Sequence, residues 1–218
     1  MLPLVWLILV IFIAGCTHSD KKISNLNDST RTQKLDPINS IQINGYSVTP
    51  KATIKFDTID KAGTDTLDLV ICGDYVYDPF GPVYDKSQLS SSILRKFDII
   101  SRIDTMANDT IELQILKHGS SKMIFYFDHD SEASRHSCIL KGEIYDRDIE
   151  FANGVKIGMS LRSFYGKIFS NFPDTLLKDF KVIILTSCVE SIEHIYSFES
   201  DKLISVKFKT DTYWKVDY

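Results

Sequence analysis

The amino-acid sequence predicts an α+β fold: an antiparallel sheet carrying two principal helices, arranged as two tandem helix-plus-three-strand units. Three observations predict it. Two segments, 86–97 and 161–169, place apolar residues at helical spacing behind a capping residue. Each is followed by runs of alternating apolar and polar residues, the period of half-buried strands. The runs also correspond between the halves, 85–150 and 151–218, with Ile124-Phe125-Tyr126-Phe127-Asp128 matching Ile195-Tyr196-Ser197-Phe198-Glu199. A helix with one apolar stripe and three twisted strands cannot close a core alone, whereas two such units side by side can.

The chain opens on an apolar run, Leu2 to Ile13, interrupted only by Pro3 and followed by the small residues Ala14 and Gly15 directly before Cys16. An apolar stretch ending in small residues has the grammar of a cleaved export signal. It is too short for a transmembrane helix, which needs about 20 apolar residues, and Thr17-His18-Ser19-Asp20 follows at once. Ile13-Ala14-Gly15-Cys16 resembles a bacterial lipobox. That resemblance implies a signal peptide over 1–15, cleavage before Cys16 and a diacylglycerol on its thiol. Two or three acyl chains would anchor stably where a single chain is marginal. Thr17 is not the aspartate that holds such proteins at the inner membrane in enteric bacteria, so the outer membrane is the expected address.

Residues 16–40 carry the lipidated cysteine and a tether rich in Ser, Thr, Asn, Asp and Lys, without helical or strand period. As a flexible coil it would hold the domain about 25–30 Å from the bilayer. The globular domain is expected over 41–218. Ile54 and Phe56 alternate with polar residues, and Leu67, Leu69 and Ile71 line one strand face. Val70 and Cys72 make the opposite face of that strand apolar too, which belongs inside a sheet covered on both sides.

Tyr75, Tyr77, Phe80 and Tyr84 then fall in a loop punctuated by Pro and Gly. Tyrosines combine a large rigid area with a polar tip, as interface anchors do, so these four are the candidate binding residues. Asp85 is placed to cap a helix over Lys86 to Phe97, with Gln88 completing a capping box. Strands are expected at Ile111 to Leu116, Lys122 to Asp128 and Ser137 to Tyr145. A second helix runs from Leu161 to Phe169 behind Ser160, with strands at Val182 to Leu185, Ile192 to Phe198 and Leu203 to Phe208. Tyr213 to Tyr218 reads as an edge strand.

Asn153-Gly154-Val155-Lys156-Ile157-Gly158-Met159-Ser160, leading into the second helix, resembles the Gly-Met-Ser helix start of BamE/SmpA-type outer-membrane assembly lipoproteins. It also resembles the repeats of β-lactamase-inhibitor-like domains, and the whole chain is similar to uncharacterised lipoproteins of Bacteroides-type bacteria. These likenesses imply an α+β scaffold. The residues themselves read structurally: Gly158 for a tight turn, Met159 as a core plug and Ser160 as the cap.

The net charge of −4, with signs interspersed, argues against nucleic acid, whose phosphates want clustered Lys and Arg. Besides Cys16 there are Cys72, Cys138 and Cys188, so at most one internal bridge forms, and any pairing is open. Asp128-His129-Asp130-Ser131-Glu132 with His136 holds metal-ligand residue types, yet a solvated polar connection between two strands is the better explanation, and no metal site is assigned. Asp146 and Asp148, His118 and His194 are the other titratable candidates. No nucleophile elbow, zinc-helix motif or phosphate loop follows the leader, so no residue is assigned a catalytic role and no cofactor is expected. The function expected is a non-catalytic envelope lipoprotein acting as a protein-binding or assembly module. Its partners would be the membrane, through the lipid, and another envelope protein. A glycan- or small-ligand-binding lipoprotein is the first rival, and a metal-assisted hydrolase the second.

Overall fold

The computed structural model describes residues 40–106, 109–127, 138–188 and 192–210, all within one compact unit, Pro37–Tyr218. The leader, Cys16, the tether, the His129–His136 cluster and the end of the chain from residue 211 lie outside the described residues. The strands are β1 (Ile41–Ile43), β2 (Tyr46–Pro50), β3 (Lys55–Ala62), β4 (Thr66–Cys72), β5 (Asp98–Met106) and β6 (Asp109–His118). They continue as β7 (Ser121–Tyr126), β8 (Ile139–Ile144), β9 (Phe169–Asn171), β10 (Val182–Ser187), β11 (Glu193–Glu199) and β12 (Lys202–Lys209). Among the described residues, helical structure is confined to α1 (Asp74–Tyr77), α2 (Lys86–Leu89), a 3-10 turn at Ile93–Lys96, and α3 (Leu161–Ile168).

The fold is therefore mostly β, and the expected α+β architecture with two principal helices is wrong. The first helix fails for a local reason. Asp85 does cap it, its carboxylate accepting from the backbone N–H groups of Ser87 (2.8 Å) and Gln88 (3.2 Å). Gln88 Oε1 then accepts the backbone N–H of Tyr84 at 2.6 Å. After one turn, however, three serines intervene. Ser91 and Ser92 donate their hydroxyls to the carbonyls of Gln88 and Leu89, and Ser92 Oγ accepts from the N–H of Leu94. Serine side chains that compete for backbone groups stop helices, and the chain restarts as a 3-10 turn. Among the described residues only α3 is a helix of length, capped by Ser160 Oγ accepting from Ser163 N–H at 3.2 Å.

The tandem-unit expectation fails with it. The first half contributes four strands, β5–β8, and the second three, β10–β12, while β3 and β4 lengthen the same sheet. That sheet has nine strands in the order β3-β4-β10-β11-β12-β8-β7-β6-β5, antiparallel except where β4 runs parallel to β10. A separate sheet joins β1, β2 and β9. Alternation is clearest on β10 and β11, where every second residue is buried.

The main core lies on one face of the large sheet, and a smaller buried cluster of Ile111, Leu113 and Ile124 stands apart from it. Leu69 and Ile71 of β4, Ile183 and Leu185 of β10, and Tyr196 and Phe198 of β11 point into the main core. From α3, Phe164 packs on Tyr196 and Phe198 with ring centroids 4.7 and 5.2 Å apart. Strand β4 is interior, as its apolar faces require, and its cysteine bonds across to Cys188.

Candidate functional site

The four expected binding residues do not form one surface. Phe80 belongs to the core, 3% exposed, in a cluster with Phe151 and Phe208 at centroid distances of 4.9 and 5.8 Å. Tyr77 is half-buried and its hydroxyl shares a 2.9 Å hydrogen bond with Ser187 Oγ. It borders a crevice of only about 10 Å³, too small for a sugar. Tyr75 lies within α1, and its side chain is outside the described part of the structure. Tyr84 alone is presented to solvent, at 52% exposure.

Tyr84 forms one wall of an open groove of about 580 Å³. Ile54, Pro79 and Pro82 supply the apolar lining, Lys51 and Lys167 bring two ammonium groups to it, and Asp78 brings one carboxylate. Three segments fix its shape. The backbone N–H of Lys51 donates to the carbonyl of Ile168 at the end of α3 (2.9 Å), and that of Ala152 donates to the carbonyl of Pro79 (2.9 Å). The Tyr84–Gln88 hydrogen bond holds the third. Neither lysine is ion-paired among the described residues. An aromatic and two prolines beside two uncommitted cations suit an extended acidic segment: the rings pack on the chain and the ammoniums meet carboxylates.

A larger groove, about 890 Å³, lies beside the start of α3. Its floor is apolar, from Leu161, Phe180 and Phe198, and its rim carries Arg162 and Asp174 already paired at 2.8 Å. Lys178, Lys181, Glu199 and Asp201 also line it, so acidic and basic groups are mixed around the groove and favour no one sign of partner charge.

The titratable candidates are structural. His118 contacts the carbonyl of Lys96 through Nδ1 (3.0 Å) and the Asp148 carboxylate through Nε2 (3.0 and 3.1 Å). Both ring nitrogens are thus occupied, leaving none to take a proton from a substrate. The His118 hydrogen bond is also the largest influence holding Asp148 below the usual carboxylate range. Asp146 accepts from the N–H groups of Ser120 and Ser121 and from the Ser121 hydroxyl (2.9, 2.9 and 2.6 Å). That clamps the β6–β7 turn to the end of β8. Gly119 is required there, because its φ is +52° and a Cβ would run into the Asp146 carboxylate. His194 is fully buried in the core against Phe208. Burial pushes its ring down to about 3.

Of the three cysteines, Cys72 and Cys188 form a disulfide, and Cys138 is a free, half-buried thiol. Burial, with the Asp78 charge adding to it, pushes that thiol up to about 11, so it is no nucleophile at neutral pH. Gly158 has φ +88° at the turn into α3, and Met159 packs against the core. Among the described residues no group of three or more His, Cys, Asp or Glu could hold a metal ion. No helix among them is long and apolar enough to cross a membrane.

Sequence reasoning missed Lys51 and Lys167. They stand far apart in the chain and meet only because α3 and the end of β2 pack together. No family model, curated protein or solved structure matches the chain.

Proposed function

We propose that this chain is a non-catalytic, lipid-anchored envelope protein that binds a protein partner through the Tyr84 groove, taking an extended acidic segment. The observation that carries the reading is the pairing of exposed Tyr84 with two lysines that have no ion-pair partner among the described residues. The location rests on the leader and Cys16, and the Cys72–Cys188 bridge supports it, because disulfides persist in oxidising compartments outside the cytosol. The outer membrane remains the preferred address. The occupied nitrogens of His118 and the inert Cys138 thiol favour binding over catalysis.

The test uses the full chain in its native envelope, with a photo-crosslinking residue in place of Tyr84. The expected result is one discrete adduct, lost when Lys51→Glu and Lys167→Glu are added. In parallel, Cys16→Ser should move the protein from the membrane pellet to the soluble fraction. An adduct indifferent to the lysine reversals removes the groove, and a Cys16→Ser protein that still pellets removes the anchor.

A further inference from the structure

The two outer strands of the nine-stranded sheet are treated differently. At one end, β3 pairs with β4 through two register shifts, between Phe56 and Thr58 and between Ile59 and Ala62. Bulges of this kind twist an edge away from further pairing. At the other end, β5 pairs with β6 over all nine residues without a shift. Among the described residues no strand lies against its outer side. A long, regular edge strand is a template for another strand. It also carries Ile103, at 72% exposure the most exposed large apolar side chain among the described residues, with Ile100 at 49%.

The sequence of this edge is self-complementary. It reads Ile100-Ser101-Arg102-Ile103-Asp104-Thr105-Met106. If two copies pair antiparallel about a two-fold axis through Ile103, isoleucine meets isoleucine and Arg102 of each copy faces Asp104 of the other. Ser101 then faces Thr105, and Ile100 faces Met106. Both charged side chains stay within reach of solvent, 32% exposed for Arg102 and 41% for Asp104, and they contact each other along the strand at 3.4 Å.

The register is selected, not merely allowed. In an antiparallel pair, residues whose backbone groups point outward must oppose one another, so for two identical strands the axis falls on a residue. Moving it to Arg102 sets arginine against arginine, and moving it to Asp104 sets aspartate against aspartate. Like charges directly opposite destabilise a strand pair, whereas opposite charges and aliphatic pairs stabilise it. An axis on Ile100 would also pair isoleucine with isoleucine and set Asp98 against Arg102, but it engages only residues 98–102 of the strand, whereas the Ile103 axis engages 100–106 and covers the more exposed isoleucine; an isologous interface of this kind closes at two copies.

From these observations we infer that the chain forms a symmetric homodimer through β5, joining two nine-stranded sheets edge to edge about Ile103. The inference needs neither the lipid anchor nor the Tyr84 groove.

The experiment is mild oxidation of the purified full chain carrying Ile103→Cys, compared with the parent chain and with Ile100→Cys. Ile103→Cys should give a band of doubled mass on a non-reducing gel. Ile100→Cys should not, because the two 100 positions would lie about 20 Å apart, six residues of strand. In the Ile103→Cys background, Arg102→Asp should abolish the band, and adding Asp104→Arg should restore it. Residue 103 is exposed, so the cysteine leaves the fold intact. The native mass of the unaltered chain by sedimentation should be that of two copies. A monomeric mass, a crosslink to a different protein through residue 103, or equal crosslinking at 100 and 103 would overturn the dimer.

Discussion

His194 shows how a single residue ties the core to pH. Its ring sits edge-on to Phe208, with centroids 4.8 Å apart, and among the described residues its Nδ1 has no hydrogen-bond partner. Desolvation is the main reason the ring resists charging, and a backbone hydrogen bond at Val76 opposes it weakly. The folded-state value is depressed below the ordinary 6.5, so the unfolded chain takes up a proton that the folded chain refuses. Stability is therefore full above about pH 6.5 and is lost as pH falls toward 3. Between pH 7 and pH 5 the loss should be about 2 kcal/mol, read as a lower urea midpoint. His194→Leu should flatten that dependence; an unchanged slope would show that other groups carry it. The sequence marks His194 as a titratable residue in a strand, but only the packing of β12 beside it reveals a core imidazole.

At the scale of elements, turns and competing hydrogen bonds decided what periodicity left open. The hairpin between β11 and β12 turns through Ser200 and Asp201, with φ of +48° and +63°. Two successive left-handed residues make the turn that matches strand twist, and Asn-Gly is its preferred sequence. Replacing Ser200→Asn with Asp201→Gly should stabilise the fold by about 1 kcal/mol, measured as a raised urea midpoint. The backbone carbonyl of Asp201, which accepts from Leu161 N–H at the start of α3 (3.2 Å), is retained in that variant. Strands β10 and β11 were legible because one face is apolar and the other polar, and β6 and β7 because their runs of β-branched and aromatic residues suit a strand even where both faces are buried. Strand β5 was not, because its isoleucines at 99, 100 and 103 follow no period of two. It is a strand because β6 supplies its partners.

For the whole molecule, the controlling contact is between β4 and β10, which brings residues far apart in sequence into parallel register, Leu69 beside Leu185 and Ile71 beside Ser187. Non-local pairing of this kind carries a loop-closure cost. The Cys72–Cys188 bridge spans a sequence separation of 116 at the end of the same pair, and so restricts the unfolded chain over most of the domain. Removing it with Cys72→Ser and Cys188→Ser, or by reduction, should cost about 2–5 kcal/mol. Urea unfolding with and without reductant checks this. No change on reduction would mean that the bridge does not constrain the chain in solution.

The sequence by itself determined the strand-rich character of the domain, the caps at Asp85 and Ser160, the left-handed turn at Gly158 and the limit of one disulfide. These follow from local geometry, periodicity or counting. The tertiary structure decided which strands are neighbours, that β4 runs parallel to β10, and that Cys138 is the cysteine left out. It also decided that Phe80 turns inward while Tyr84 turns outward, and that Lys51 and Lys167 share a groove. Those outcomes depend on contacts between residues many positions apart, whose energies no local pattern records. The α+β expectation failed for the same reason. An apolar stripe shows which side of a segment faces the core, and side-chain hydrogen bonds from Ser91 and Ser92 decided how long the helix behind it runs.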